Sequence, residues 1–260
     1  MLNLKMNKII LITGATSGFG KAIAEKFSAN GWDCIITGRR KELLGKLKND
    51  LSSQYKNKIL DLNFDISDER QLDNAIKSIP SEWQNIDVLI NNAGLSLGLE
   101  SFENMTLVDI NQMINTNIRG LVSITHKILP FMIEKRRGHV VNIGSISAKT
   151  VYKNANIYCM TKHAVDAFTK GLRIDLLDHG IKVTGIHPGA ADTEFSIVRF
   201  NGDEKKAKNV YAGYEPLHAI DIANAVYFCV NDAGQNVCID DLVMTCKSQA
   251  NIFYIKKDIE

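Results

Sequence analysis

Short segments made almost wholly of apolar residues alternate along this chain with longer amphipathic segments. Strands that are apolar on both faces are typical of a parallel sheet covered by helices on both sides. The alternation also predicts strand–helix–strand units with right-handed crossovers. We expect strands at 8–13, 34–37, 59–64, 87–90, 139–143 and 182–186, helices at 21–30, 42–55, 68–79, 107–136 and 156–179, and a final helix–strand pair over 220–244. The predicted fold class is α/β, a Rossmann-like doubly wound parallel sheet of about seven strands flanked by helices on both faces.

The length of 260 residues and the absence of a linker-like stretch predict one domain over residues 1–260. Pro130 lies inside the long helical segment 107–136 and predicts a kink there. The only long stretch without a regular pattern covers about 188–217, which is polar and contains glycine. Loops of that length in compact domains are often lids, so we expect a substrate lid at 188–217.

Composition excludes several classes of partner. A net charge of +2 is too small to indicate binding to nucleic acid or to a membrane surface. We find no apolar run long enough for a membrane helix and no signal-peptide core in residues 1–8, and Met6 is an alternative start. The 5 cysteines include no C-x-x-C pair, which argues against a disulfide framework or a zinc site, so no metal is expected. The expected location is the reducing cytoplasm.

A glycine-rich turn with the pattern G-x-x-x-G-x-G follows the first predicted strand and opens the first helix. Glycine permits a positive φ and lets the backbone approach a ligand closely. A helix N-terminus offers unpaired N–H groups to a pyrophosphate. The turn therefore predicts a dinucleotide site, although a purely structural turn is the alternative. Its expected cofactor contacts are Gly14, Thr16, Ser17, Gly18, Phe19 and Gly20.

Two arginines, Arg39 and Arg40, follow the second predicted strand, where an NAD site would offer an acidic residue to the ribose. Arginine can hold a 2′-phosphate through charge-assisted hydrogen bonds. One such bond contributes about 1.5–3 kcal/mol, which corresponds to a preference of about 10- to 150-fold for NADP over NAD. The alternative is a pair of solvated arginines at the start of a surface helix.

Tyr158 and Lys162 are spaced i and i+4 in a predicted helix, so both side chains lie on one face. An ammonium near a phenol favours the phenolate and lowers its pKa by about 1–3 units, which would suit proton transfer near neutrality. Ser145 follows the fifth strand at the edge where open α/β sheets bind ligands. Asn117 lies in the long helical segment. Taken alone, a serine or a helical asparagine in such a place is more often structural.

These motifs occur together in one order along the chain: T-G-x-x-x-G-x-G at 13–20, N-N-A-G at 91–94, Asn117, Ser145, Y-x-x-x-K at 158–162, and Pro188-Gly189 followed by Thr193. In this combination the chain resembles the short-chain dehydrogenase/reductase family. The resemblance implies an NADP(H)-dependent oxidoreductase that interconverts an alcohol and a ketone. It also implies a homotetramer, since family members often assemble through their two long helices and the C-terminal tail.

The resemblance assigns roles to particular positions. Tyr158 would be the general acid/base, Lys162 would bind the nicotinamide ribose, and Ser145 would hydrogen-bond the substrate oxygen. Asn117 would hold a water that links Lys162 to solvent. The remaining residues implied to line the cofactor are Asp65, Ile66, Asn92, Ala93, Gly94, Pro188, Gly189 and Thr193.

Within the family, segments 9–20, 37–40 and 193–203 are most similar to enzymes that oxidise the 3-hydroxyl of small 3-hydroxy acids such as L-serine or L-allo-threonine. A carboxylate substrate needs a cationic partner in a desolvated site, and Arg199 in the expected lid is the candidate. Two alternatives stay open. The chain could reduce another carbonyl substrate, such as a 3-oxoacyl group, a sugar or a steroid, or it could sense NADP(H) without turnover.

Overall fold

The computed structural model describes residues 7–258. Its main feature is a 7-stranded sheet in the order β3-β2-β1-β4-β5-β6-β9, and every pairing within it is parallel. The strands of this sheet are β1 (Ile9–Ile12), β2 (Asp33–Gly38), β3 (Ile59–Asn63), β4 (Ile86–Asn91), β5 (Gly138–Ile143), β6 (Ile181–Pro188) and β9 (Asp241–Met244). Two shorter strands, β7 (Ala191–Asp192) and β8 (Leu217–His218), form a separate 2-stranded sheet. The predicted doubly wound parallel sheet is confirmed.

The helices cover both faces of the sheet because successive strand residues point to opposite sides. In β1, Ile10 and Ile12 pack into one apolar core and Ile9 and Leu11 into the other. The first core includes residues of α1 (Gly18–Ala29), α2 (Lys41–Gln54) and α9 (Ala219–Tyr227), and the second includes residues of α3 (Glu69–Lys77), α5 (Leu121–Glu134) and α6 (Asn156–Asp175). The remaining helices are α4 (Leu107–Ile114), α7 (Glu194–Arg199) and α8 (Glu204–Asn209).

The long helix expected at 107–136 differs from the prediction in one respect. A wider π-helical turn at Asn115–Gly120 separates α4 from α5. Pro130 lies further along the chain, inside α5. Gly120 in this turn packs so closely on the main chain of Ile66 that a Cβ there would lie 2.9 Å from the Ile66 carbonyl oxygen. The break therefore coincides with close packing against the loop after β3, and it falls at the turn that carries Asn117.

The segment 188–217, expected to lack regular structure, contains β7, α7, α8 and β8. Side-chain caps begin both helices, since Thr193 accepts a hydrogen bond from the N–H of Phe195 and Asp203 from the N–H of Lys206. Each helix has only 6 residues, which is too short to produce an apolar periodicity in the sequence.

Within residues 7–258, we find no helix that combines the length and the apolar character needed to cross a bilayer. All 5 cysteines are unpaired thiols. The alternative start at Met6 lies outside the described residues.

The strand order reverses direction between β1 and β4. In open α/β sheets, ligands bind beyond the carboxyl ends of the strands at such a switch point. The loops that follow β1 to β6 are therefore the ones that build the site.

Candidate active site

A cleft of about 520 Å³ lies at the carboxyl edge of the sheet, where these loops converge. Three of the expected site residues do not line it: Gly20, Asp65 and Asn117. The expected residues that do line it are Gly14, Thr16, Ser17, Gly18, Phe19, Arg39, Arg40, Ile66, Asn92, Ala93, Gly94, Ser145, Tyr158, Lys162, Pro188, Gly189, Thr193 and Arg199. Residues spread over most of the chain are thus brought to one place.

The glycine turn has the shape that a close-lying anion requires. Gly14 and Gly18 have φ values of +66° and +51°, a region that other residues rarely adopt. A Cβ at Gly20 would overlap the carbonyl oxygen of Gly14, so the start of α1 packs directly on the turn. The amide of Asn92 donates to the carbonyl oxygens of Thr13 at 2.8 Å and Gly14 at 3.1 Å, which ties the turn to the end of β4.

Ser17, at the N-cap of α1, makes no side-chain capping hydrogen bond. The first N–H groups of the helix are therefore not capped by that side chain and face the cleft beside a partial positive charge. An open helix N-terminus, a turn with no room for side chains and a cleft of this volume fit a dinucleotide pyrophosphate.

Arg40 lies over the glycine turn. Its guanidinium donates to the Thr16 hydroxyl at 3.1 Å and the Ser17 hydroxyl at 2.7 Å, and it pairs with Glu194 of α7 at 2.8 Å. Arg39 instead pairs with Asp65 at 3.4 Å. Both arginine side chains are about half exposed, 45% for Arg40 and 51% for Arg39, so an added phosphate could reach them from solvent.

Asp65, expected beside the adenine, faces Arg39 at the edge of the cleft. Burial raises the pKa of this carboxyl, but hydrogen bonds from Ser67 and the charge of Arg39 outweigh it, so the pKa lies below its ordinary value. Asp65 is therefore ionised at neutral pH and holds Arg39 in place.

Tyr158, Lys162 and Ser145 meet at the end of β5. The Lys162 Nζ atom donates to the carbonyl oxygen of Ile143 at 2.9 Å and lies 5.9 Å from the centre of the Tyr158 ring. The Ser145 hydroxyl accepts a hydrogen bond from the N–H of Ser147 at 3.0 Å, which holds its side chain. The three groups that the sequence predicts to act together are thus neighbours.

The lowering of the Tyr158 pKa that the Lys162 ammonium was expected to produce stays a prediction. Burial raises the pKa of the phenol above its ordinary value of 10.0, and the weaker opposing influences come from the charge of Arg199 and a hydrogen bond with Ser145. Lys162 itself is desolvated, and burial lowers its pKa from 10.5 to about 8. The physical reason is that both groups lose their contact with water, while Lys162 Nζ donates to the main-chain carbonyl of Ile143.

Asn117 lies outside the lining of the cleft and connects two of the segments that form it. Its amide oxygen accepts from the N–H of Leu95 at 2.8 Å, and its amide nitrogen donates to the Leu95 carbonyl at 2.8 Å and to the Thr161 hydroxyl at 3.1 Å. The side chain thereby fixes the loop after β4 against α6. Its expected role in holding a water stays a prediction.

Arg199 projects from the end of α7 into the cleft. Its guanidinium carbon lies 5.2 Å from the ring centre of Tyr158 and 5.1 Å from that of Phe195. The group donates to the hydroxyls of Ser96 at 3.2 Å and Tyr152 at 3.4 Å. Ser96, Tyr152 and Phe195 were not predicted as site residues, because a single serine or aromatic residue in a loop carries no spacing signal.

Comparison with known proteins agrees with this geometry. The family model for short chain dehydrogenase matches residues 8–203. Serine 3-dehydrogenase of Agrobacterium fabrum is 44% identical over 223 residues, which are 86% of this chain and 88% of that protein. The NADP-dependent 3-hydroxy acid dehydrogenase of Schizosaccharomyces pombe is 39% identical over 252 residues, which are 96% of this chain and 97% of that protein.

Among solved structures, the closed form of serine dehydrogenase complexed with NADP+ superposes with a TM-score of 0.90 at 38% identity, covering 97% of this chain and 99% of the other. The family model spans well over half of the chain, and both curated relatives cover most of it. The chain is therefore a member of the short-chain dehydrogenase family of oxidoreductases, as the order of its motifs predicted.

Proposed function

We propose that this enzyme uses NADP(H) and oxidises the 3-hydroxyl of small 3-hydroxy acids such as L-serine or L-allo-threonine. The observation that carries the proposal is the guanidinium of Arg199, which lies in the cleft 5.2 Å from the ring centre of Tyr158. An arginine in that place offers a carboxylate partner next to the proton-transfer residue. The names of the relatives at 44% and 39% identity support the same assignment.

The cofactor would be held at two ends by residues already described. The glycine turn and the N-terminus of α1 suit the pyrophosphate. Arg39 and Arg40, with the hydroxyls of Thr16 and Ser17, suit the 2′-phosphate of NADP. Between these ends the cleft is lined by Ile66, Asn92, Ala93, Gly94, Pro188, Gly189 and Thr193. When bound, the cofactor supplies a nicotinamide ring that accepts or donates the hydride.

The chain itself handles the proton. During oxidation the substrate hydroxyl gives its proton to the Tyr158 oxygen as a hydride leaves the same carbon, and the product is the aldehyde from L-serine or the ketone from L-allo-threonine. Because burial raises the pKa of Tyr158, the phenolate needs positive charge nearby, and Arg199 already acts in that direction. Lys162, with a pKa of about 8, exchanges a proton readily near neutrality and can carry it away toward solvent.

Three further assignments belong to this proposal. Segment 188–217 acts as a lid, since the Arg199 carbonyl accepts a hydrogen bond from the N–H of Gly98 at 3.0 Å and Glu194 pairs with Arg40 across the cleft.

The enzyme is a homotetramer, supported by exposed apolar side chains on α4 and α6 and in the turn after α6: Leu107, Val108, Ile174 and Leu177. Its location is the cytoplasm, supported by 5 unpaired cysteines. The mass in solution, measured by light scattering, tests the tetramer.

A substrate panel tests the catalytic proposal. The purified protein is mixed with NADP+ and L-serine, L-allo-threonine, 3-hydroxypropionate or 3-hydroxybutyrate, and the absorbance of the reduced cofactor is followed. We expect turnover of at least one of them, and a much weaker reaction with 2-aminoethanol, which is L-serine without its carboxylate. Failure with all four acids would remove the 3-hydroxy acid assignment. Turnover of an uncharged alcohol or carbonyl alone would favour another reductase activity, and cofactor binding without any turnover would favour the sensing role.

Arg199→Gln separates carboxylate recognition from chemistry. Loss of one charge-assisted hydrogen bond costs about 1.5–3 kcal/mol, so kcat/KM for the acids should fall about 10- to 150-fold. The residual reaction with 2-aminoethanol should fall less than this, because it loses only the effect of the Arg199 charge on Tyr158 and presents no carboxylate. Equal losses for both substrates would mean that Arg199 does not bind the carboxylate.

A further inference from the structure

A partly buried charged cluster lies behind the loop that carries Ser145, outside the lining of the cleft. Its members are Lys149 in the loop after β5, Asp166 and Lys170 on α6, His187 at the end of β6, and Asp241 at the start of β9. Lys149 Nζ lies 2.7 Å from Asp166 and 2.9 Å from Asp241, and Lys170 lies 2.7 Å from Asp166. Two lysines thus balance two carboxylates, and Lys149 fills the place between them.

His187 is the buried centre of this cluster, with a side chain that is 1% exposed. Its Nδ1 atom lies 3.2 Å from the main-chain carbonyl oxygen of Ser145. Its Nε2 atom lies 3.4 Å from Asp241 and 3.6 Å from Asp166. The ring packs on Gly144, where a Cβ would overlap Nδ1. A glycine before Ser145 is therefore required by the imidazole beneath it.

The surrounding groups determine where the imidazole carries its proton. A carbonyl oxygen only accepts, so the contact with Ser145 requires an N–H at Nδ1. Nε2 faces one oxygen of Asp241 in a hydrogen bond of 3.4 Å, which is longer than the bonds that the lysines donate to Asp241 and Asp166. Burial, followed by the charge of Lys149, lowers the pKa of His187, while Asp241 and Asp166 raise it less. The contact with the Ser145 carbonyl thus assigns a proton to Nδ1.

The Ser145 carbonyl has a second donor, but that bond is local. The N–H of Ala148 donates to the same oxygen at 2.9 Å and closes a turn within the loop. The bond from His187 instead ties this turn to the sheet, next to the main-chain bond from Gly144 to Ile186 at 2.7 Å. Without the imidazole, the turn would keep its internal shape but lose one of its two links to β6.

We propose that His187 is a positioning residue, whose Nδ1 proton holds the main-chain carbonyl of Ser145 and so fixes the Ser145 hydroxyl beside Tyr158. The inference rests on the proposed alcohol–ketone chemistry but not on which substrate is used. An error of about 1 Å in the position of a catalytic group costs up to about 100-fold in rate. His187 therefore affects kcat more than cofactor binding, since the glycine turn and the arginines lie elsewhere in the cleft.

Three replacements of His187 test the proposal. In His187→Asn the amide N–H lies near the place of Nδ1 and can still donate to the Ser145 carbonyl. In His187→Gln the amide reaches toward Asp241, and in His187→Leu no donor is present. With any substrate that the wild type turns over, we expect Asn to keep kcat within about threefold and Gln and Leu to lose about 10- to 100-fold. The dissociation constant for NADPH, measured by fluorescence, should stay the same in all three.

The Asn and Gln variants are the decisive pair, because both keep a polar amide in the cluster and should fold equally well even if the Leu variant does not. Equal kcat values for Asn and Gln would overturn the proposal, and so would a loss of NADPH affinity that parallels the loss of kcat. In a Ser145→Ala background, His187→Gln should cost no further activity, since the hydroxyl that it positions is gone. If His187→Gln lowered kcat in the Ser145→Ala background as much as it does in the wild type, the proposal would also be contradicted. Failure of the 3-hydroxy acid assignment would instead appear in the wild type as an unreactive substrate panel.

Discussion

At the residue scale, the site is dominated by the desolvation of the two groups that handle the proton. Tyr158 and Lys162 are 8% and 7% exposed, and burial shifts both away from their charged forms. Tyr158 is therefore neutral near pH 7 and needs more positive charge nearby to ionise, whereas most of Lys162 is still protonated there. Arg199 is the cation already in place against the Tyr158 ring.

Tyr158→Phe removes the hydroxyl and leaves the packing of the ring on Phe195, which lies 5.6 Å away between ring centres. A positioned general acid/base contributes about 10²- to 10⁴-fold, so we expect kcat to fall by that factor. The affinity for NADPH should stay near that of the wild type, which fluorescence titration measures. A variant that keeps most of its turnover would show that another group transfers the proton.

Lys162 makes the stability of the enzyme depend on pH in a predictable direction. Because its pKa falls from 10.5 to about 8 on folding, the unfolded chain binds more protons between these values, and stability from this group rises with pH there. The full difference is about 3 kcal/mol. We expect the free energy of unfolding of Lys162→Met to lack this rise between pH 8 and 10, when both proteins are unfolded in urea.

The control for this prediction is Lys21→Met, which removes a lysine whose side chain is 50% exposed. That variant should keep the wild-type slope. If Lys162→Met shows the same slope as well, the ammonium is not the group that is desolvated on folding.

At the scale of elements, α7 is held against the glycine turn by the pair between Glu194 and Arg40 at 2.8 Å. Both side chains are about half exposed, so the pair contributes at most about 1 kcal/mol. Glu194→Gln should therefore open segment 188–217 more often, and trypsin should cut α8 at Lys205, Lys206 or Lys208 up to about fivefold faster. Glu100→Gln, at an exposed position outside the cleft, is the matched control and should be cut at the wild-type rate. An unchanged rate in Glu194→Gln would mean that this ion pair does not restrain the segment.

At the scale of the whole molecule, cofactor binding should stabilise the entire domain, because the cleft draws on loops from both halves of the sheet. A ligand present at about 100 times its dissociation constant adds about 2.7 kcal/mol, which corresponds to a rise in Tm of about 5–10 °C for a domain of this size. NAD+ at the same concentration should give a much smaller rise. Arg40→Ala should bring the two shifts closer together, and equal shifts in the wild type would refute the assignment of the 2′-phosphate site.

Much of the fold and of the cofactor site could be predicted from local requirements alone. Apolar strands must be covered on both faces, and this produces a parallel sheet with its loops at one edge. Gly14 and Gly18 have positive φ values, and their spacing shows in the sequence as a turn that only glycine tolerates well. Tyr158 and Lys162 meet because residues four apart share a helix face. Each of these rules acts over a few neighbouring residues, so the amino-acid sequence alone is enough to predict its result.

Tertiary structure decided the properties that depend on partners far apart in the chain. Arg40 forms an ion pair with Glu194, and His187 contacts Ser145 and Asp241, although no periodicity in the sequence links these positions. The π-helical turn at Asn115–Gly120 arises where Gly120 meets Ile66. The pKa of Tyr158 depends on tertiary structure for the same reason. Local spacing shows that an ammonium is near, but desolvation by surrounding elements is the larger effect, and only the packed molecule sets its size.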